Sequence, residues 1–265
     1  MFTNNFQLSD GDKNKGTVYL PDRESKNIPV IIYCHGWSSN RQLDGITEKL
    51  CEETIRANIA FVTFDFYGCG ETGGNYSLMT YARWKNNLSD VISWCVTQPF
   101  ADVNKIGCYA CSSGTTAALR LAMEDDRIAF IISVATCISS HILMGDGGPA
   151  KLFVDNLDDL ISGGTVKMAG VDFGIDFYLD NISNAPIYSM NKINCPVLFL
   201  QGTADTVYRC ADAKMAYELM LKYNPQTKSS YIPVEGGDHG LDNVADEAVE
   251  KIFQWIMPII LNRRL

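Results

Sequence analysis

Apolar positions along this chain follow two alternating rhythms, short continuous runs and longer stretches at a helical period. Residues 29–33, 59–64, 106–110, 128–135, 196–200 and 229–234 form compact, mostly apolar runs of strand length. Helical patterns lie between most of them, at 42–57 (with Ile46, Leu50 and Ile55), at 80–97 before Pro99, at 115–123 and at 211–222. Strands that are apolar on both faces and separated by helices predict a mostly parallel sheet covered on both sides. The opening segments 2–8 and 16–20, split by the turn-rich Ser9-Asp10-Gly11-Asp12, predict an antiparallel pair. An amphipathic helical pattern over 243–260 closes the chain. The expectation is an α/β fold with a sheet of about eight strands.

One stretch breaks this rhythm. Residues 138–194 carry Gly145, Gly147, Gly148, Gly163, Gly164, Gly170 and Gly174, with aromatics at Phe153, Phe173, Phe177, Tyr178 and Tyr188. It is too long for a plain connection between two core strands. Loops at the carboxyl ends of parallel strands face the ligand site, so the stretch is expected to be an inserted cap. The core would then comprise 1–137 and 195–265.

Composition narrows the function classes. The 265 residues fit one large domain, or one domain with a cap. Hydrophobic residues make up 46%, enough for a substantial core, and the net charge of -9 opposes binding to phosphate backbones. No nucleic-acid partner is expected. The first twenty residues contain Asn, Asp and Lys throughout and no apolar core, unlike a secretory leader. No apolar run has the length of a membrane span, and 256–261, interrupted by Pro258, reads as one face of the last helix. Nine cysteines, an odd number spread over strands and helices, point to free thiols and a cytoplasmic location. Cys108 and Cys111 form a C-x-x-C, but the first lies within a strand and no second pair exists, so packing is the expected role and no metal is expected. Composition leaves the oligomeric state open, a homodimer included.

The most informative chemistry lies at Ala110-Cys111-Ser112-Ser113-Gly114, where a strand pattern passes at once into a helical one. A tight strand-to-helix turn of this kind lifts one serine hydroxyl clear of the backbone and needs little bulk two residues before and after it. Ala110 and Gly114 meet that need around Ser112. Around Ser113 the two positions would be Cys111 and Thr115, a poorer fit.

Two further residues stand just beyond apolar strands. Asp205 follows Leu198-Phe199-Leu200-Gln201-Gly202, and His239 follows Val234-Glu235-Gly236-Gly237-Asp238. In a parallel sheet all three would share one rim. A serine needs a base to take its proton, and an imidazole needs a carboxylate to orient it. Of the three histidines, His35 belongs to a separate loop and His141 opens the expected cap, which leaves His239 as the base. Adjacent side chains in extended chain point apart, so Asp238 is a poorer partner for His239 than Asp205. Asp65, upstream of the serine, is expected to hold the Gly68-Cys69-Gly70 loop. An oxyanion hole would use the backbone N–H of Ser113 and that of Trp37, in the loop His35-Gly36-Trp37-Ser38.

Together His35-Gly36-Trp37, Asp65-Phe66-Tyr67-Gly68-Cys69-Gly70, Ala110-Cys111-Ser112-Ser113-Gly114, Gly202-Thr203-Ala204-Asp205 and Asp238-His239-Gly240 resemble the α/β-hydrolase superfamily over nearly the whole chain. The order Ser112, Asp205, His239 is similar to that of this superfamily. With Asp176-Phe177-Tyr178-Leu179-Asp180 and Pro186-Ile187-Tyr188, the chain looks most like small intracellular esterases of the cinnamoyl or feruloyl type, and it resembles dienelactone-hydrolase-like and serine-aminopeptidase-like proteins too. The resemblance implies a serine hydrolase acting on a small-molecule ester through an acyl-enzyme on Ser112, its acyl group, aromatic ones included, held under the cap, with no cofactor. Ala110 and Cys111 depart from the Gly and His usual at these positions. A peptidase or amidase with the same three residues, a lyase or perhydrolase, and a non-catalytic ligand-binding member of the fold are the competing expectations.

Overall fold

In the computed structural model residues 1–139 and 149–261 are described, so His141, Gly145, Gly147 and Gly148 lie outside the described residues. The sheet has eight strands in the order β1-β2-β4-β3-β5-β6-β9-β10. They are β1 (Phe2–Gln7), β2 (Lys15–Leu20), β3 (Ile28–Cys34), β4 (Ala60–Phe64), β5 (Ala101–Cys111), β6 (Ile128–Val134), β9 (Val197–Gly202) and β10 (Ser230–Val234). β1 and β2 form the expected antiparallel pair, β2 is antiparallel to β4, and the remaining pairings are parallel. The central strands β3, β4, β5, β6 and β9 are buried over most or all of their length, which is why they read as continuous apolar runs.

Helices cover both faces. Leu88, Val91 and Ile92 of α2 (Tyr81–Val96), Ala117, Ala118 and Leu121 of α3 (Ser113–Ala122), and Ala213 and Ala216 of α7 (Cys210–Tyr223) join one buried cluster. Ile46 and Leu50 of α1 (Gly45–Arg56) join Ile252 and Ile256 of α8 (Ala245–Leu261) in a second cluster on the opposite face. The structure differs from the pattern chiefly at β5, which begins at Ala101 rather than near 106. Its pairing with β3 jumps from Ile28↔Ala101 to Val30↔Ile106, and the intervening polar residues disguise the strand's amino end. α2 starts where Thr80 Oγ1 accepts the Arg83 N–H at 3.1 Å.

Between β6 and β9 the described chain forms α4 (Pro149–Asp155), α5 (Leu157–Ile161), a hairpin of β7 (Val166–Met168) and β8 (Val171–Phe173), and α6 (Ile175–Asn184). Ala169 and Gly170 turn the hairpin with φ of 50° and 82°, the twist that two-residue hairpin turns favour. Phe153, Leu160, Phe173 and Phe177 of this stretch belong to the same buried cluster as α2 and α3. Asp180 of α6 binds it to the core. Its carboxylate accepts from Arg120 of α3 at 2.7 and 3.0 Å and from the Ala82 N–H at 3.0 Å, at the start of α2.

The loops after β3 and β4 are locked together through His35. Its Nδ1 donates to the Gly36 carbonyl at 2.8 Å, and its Nε2 accepts the Phe66 N–H at 3.1 Å. Burial pushes this imidazole down to about 4, only partly offset by the Gly36 carbonyl and the Asp65 charge. His35 is therefore neutral at pH 7, as the accepting nitrogen requires. Asp65 holds neighbouring loops, accepting from the Arg41 and Glu71 N–H groups at 2.7 and 2.9 Å and pairing with the Arg41 guanidinium.

Two outcomes are expected. Asp180→Ala strands the buried Arg120 charge and should cost about 3–5 kcal/mol in urea unfolding, while Arg120→Met with Asp180→Leu should recover most of that loss. An equal loss in the double variant would deny the ion pair this role. For His35, the folded value lies below the ordinary one near 6.5, so its contribution is complete above that pH. It should fade by about 3 kcal/mol as pH falls towards 4. His35→Gln should flatten the unfolding free energy across that window, measured by urea titration at several pH values.

Candidate active site

Ser112 occupies the junction of β5 and α3 with φ of 52° and ψ of -123°, a strained conformation for a residue with a β-carbon. Its N–H donates to the Val134 carbonyl at 2.9 Å, and its carbonyl accepts from Thr115 N–H at 2.9 Å. Two residues on, a β-carbon at Gly114 would lie 2.1 Å from the Cys34 carbonyl oxygen, so only glycine allows α3 to begin this close to β3. Ser112 is half-buried, whereas the Ser113 hydroxyl is buried and makes no hydrogen bond. Burial pushes the neighbouring Cys111 thiol up to about 12, which leaves it un-ionised near neutrality.

β9 and β10 end side by side, with Gly202 paired to Val234. A β-carbon at Gly202 would lie 2.2 Å from the Gly237 carbonyl oxygen. The two following loops touch there, and the Ala204 N–H donates to Gly237 at 2.9 Å. This contact brings Asp205 and His239 together. His239 Nδ1 lies 2.9 Å from Asp205 Oδ2, and its Nε2 lies 3.0 Å from Ser112 Oγ. A carboxylate only accepts, so Nδ1 carries the proton and Nε2 presents a lone pair to the serine hydroxyl.

The Asp205 side chain is fully buried. Oδ1 accepts from the Val207 and Tyr208 N–H groups at 2.7 and 2.9 Å, and Oδ2 accepts from Gln201 Nε2 at 2.7 Å as well as from His239. Burial opposes its ionisation, but the bonds from His239, Tyr208 and Val207 outweigh burial and hold the carboxyl below the usual carboxylate range. Asp238 is turned elsewhere, with Oδ1 accepting the Asp242 N–H at 3.0 Å. Asp242 in turn accepts the Ile46 N–H at 2.9 Å, tying the histidine loop to the start of α1.

The loop after β3 passes directly over the serine, since a β-carbon at Gly36 would lie 3.1 Å from Ser112 Cβ. Trp37 follows Gly36 in this loop, and its ring packs against Phe173 and Phe177 with centroids 5.0 and 5.5 Å away. Ser113 opens α3, where the first N–H groups have no intrahelical acceptor. Ser38 Oγ donates to the Ala169 carbonyl at 2.8 Å, joining the loop to the hairpin turn.

Among the described residues no group of three or more His, Cys, Asp or Glu is arranged to hold a metal ion, and no helix is long and apolar enough to cross a membrane. All nine cysteines are free thiols. Sequence reasoning missed Gln201 and the Arg120–Asp180 pair. Gln201 had a signal, a lone amide inside an apolar strand, but an amide's partners are set by tertiary neighbours. Arg120 and Asp180 are 60 positions apart, and nothing local links them.

Comparison with known proteins bears on the family and the fold. The family model for X-Pro dipeptidyl-peptidase (S15 family) matches residues 10–160, and that for the BAAT/acyl-CoA thioester hydrolase C-terminal region matches residues 88–243, each more than half of the chain. An Escherichia coli protein described as an uncharacterized 31.7 kDa protein in the traX-finO intergenic region is 24% identical over 235 residues, covering 76% of this chain and 81% of its own. The structure of DcsB in complex with its substrate analogue superposes with a TM-score of 0.79 at 16% identity, covering 98% of this chain and 100% of that one. Est1E from Butyrivibrio proteoclasticus with bound ferulic acid does so with a TM-score of 0.73 at 20% identity, covering 94% and 98%. At such identities the superpositions establish the fold alone. Through the S15 peptidase and BAAT/acyl-CoA thioester hydrolase models that it matches, the chain belongs to the α/β-hydrolase superfamily and is a hydrolase of that group.

Proposed function

We propose that this protein is a serine hydrolase that cleaves a small carboxylic ester through an acyl-enzyme on Ser112. The observation that carries the proposal is the unbroken line of hydrogen bonds from Asp205 through His239 to Ser112, at 2.9 and 3.0 Å. Ser112 Oγ attacks the ester carbonyl carbon while His239 Nε2 takes the hydroxyl proton. Asp205, already ionised and fully hydrogen-bonded, stabilises the imidazolium without moving. The C–O bond to the alcohol then breaks, and His239 returns its proton to the departing oxygen. Water repeats the sequence on the acyl-enzyme, releasing the acid and restoring Ser112.

The tetrahedral oxygen needs N–H donors, and we assign these to Trp37 and Ser113. The first follows the loop that crosses the serine, and the second opens a helix whose positive dipole end faces the site. The chemistry requires no metal or cofactor. Residues 138–194 serve as the cap in this reading. An aromatic acyl group would lie against the half-buried Trp37 ring beside the serine loop, with the fully buried Phe173 and Phe177 packed behind that ring. Ferulic acid, bound to Est1E, belongs to that class. Nine free thiols support a reducing, cytoplasmic setting.

A second reading, a peptidase or amidase using the same groups, is favoured by the match to the S15 dipeptidyl-peptidase family. Aminoacyl anilides screened beside aryl esters separate the two.

A fluorophosphonate probe should label the wild-type chain on the peptide containing Ser112, and p-nitrophenyl esters of short acids should show a burst of p-nitrophenol. Ser112→Ala should abolish both, and labelling that survives this substitution removes the assignment. Asp205→Asn and His239→Ala should each lower kcat about 10⁴-fold while leaving the thermal unfolding transition cooperative. Turnover close to wild type in either variant refutes the role given to that residue.

A further inference from the structure

β9 reads Val-Leu-Phe-Leu-Gln-Gly, and its one polar side chain, Gln201, is completely buried. Burying a primary amide costs a few kcal/mol unless its groups are paired. Here they are paired with three residues on two separate segments. Nε2 donates to Asp205 Oδ2 at 2.7 Å and to the Tyr208 carbonyl at 3.0 Å, and Oε1 accepts the Thr136 N–H at 3.2 Å. The orientation of the amide follows from its neighbours. Flipped, its oxygen would face a carboxylate and a carbonyl, and its NH₂ would face an N–H.

We infer that Gln201 is a positioning residue for the Asp205–His239 pair: it donates to the same carboxylate oxygen that receives the imidazole N–H. With Oδ1 held by two backbone N–H groups and Oδ2 by Gln201, the carboxylate cannot rotate when His239 gains or loses charge. Gln201 is a neutral donor, so it shares the negative charge without competing for the imidazole proton. Through the Tyr208 carbonyl it also holds the residue whose ring stands 5.7 Å from the His239 ring. The kinetic consequence rests on the hydrolytic reading of Ser112; the electrostatic one does not.

The test therefore has one readout free of activity. In the wild-type chain, NMR of the Gln201 side-chain amide should show its donated proton shifting with pH in step with the His239 imidazole, because both bind one oxygen. Kinetics of two variants form the second arm. Gln201→Met, close in shape but without a donor, should lower kcat about ten- to a hundredfold with KM unchanged within threefold. Gln201→Glu can donate only as the neutral acid, so its activity, which still requires a neutral His239, should fall away on the alkaline side where that of the wild type does not. A Gln201 amide that stays unmoved through the His239 titration overturns the inference, as does a Gln201→Glu profile superimposable on wild type. A wild-type protein inert to esters and fluorophosphonate, with the amide still tracking His239, overturns the proposed hydrolysis and upholds the role of Gln201.

Discussion

The first turn of α3 lies against the carbonyl oxygens of Cys34 and His35, where a β-carbon at Gly114 would come within 2.1 and 2.6 Å of them. That contact forces the sharp turn from β5 and leaves Ser112 with its positive φ. The same contact sets the separation between the serine and the loop after β3, so the hydroxyl lies beside Gly36, the residue before Trp37. Relaxing it would move the helix start, the hydroxyl and the loop together. The strain at Ser112 is sustained because its N–H and carbonyl are both bonded, to Val134 and Thr115.

A second close approach, Gly202 against Gly237, does the same for the other half of the site. It joins the ends of neighbouring parallel strands, so the aspartate and the histidine meet although 34 positions separate them. Around Asp205 every acceptor site faces a donor. The low-dielectric surroundings that would otherwise favour the neutral acid are thereby overcome. In the proposed reaction, preorganisation of this kind would let charge develop on His239 with little movement of its partner. The remaining apparatus is held from outside, His35 fixing the loop that carries Trp37 and the Arg120–Asp180 pair fixing α6 to the core.

Most of the sheet was legible because its strands are buried on both faces and its helices on one, so burial itself writes the pattern. The amino end of β5 was not, since Asp102, Asn104 and Lys105 lie at the edge of the core and carry no apolar signal. The β7–β8 hairpin escaped for a related reason. Its strands are three residues each, too short to show alternation, and its turn depends on Ala169 accepting a positive φ.

Residue type and spacing alone determined the α/β class, the elbow around Ser112 and the three residues worth placing on one rim. These are local properties, set by strand period, by the need for small residues at a tight turn, and by where polar groups follow apolar runs. Tertiary structure alone decided that Gln201 meets the Asp205 carboxylate and Asp180 the Arg120 guanidinium, and it set the distances at which His239 reaches Asp205 and Ser112. Those outcomes depend on which side chains converge from distant positions, and a hydrogen bond's partner is chosen by the folded neighbourhood and not by the chain on either side of the donor.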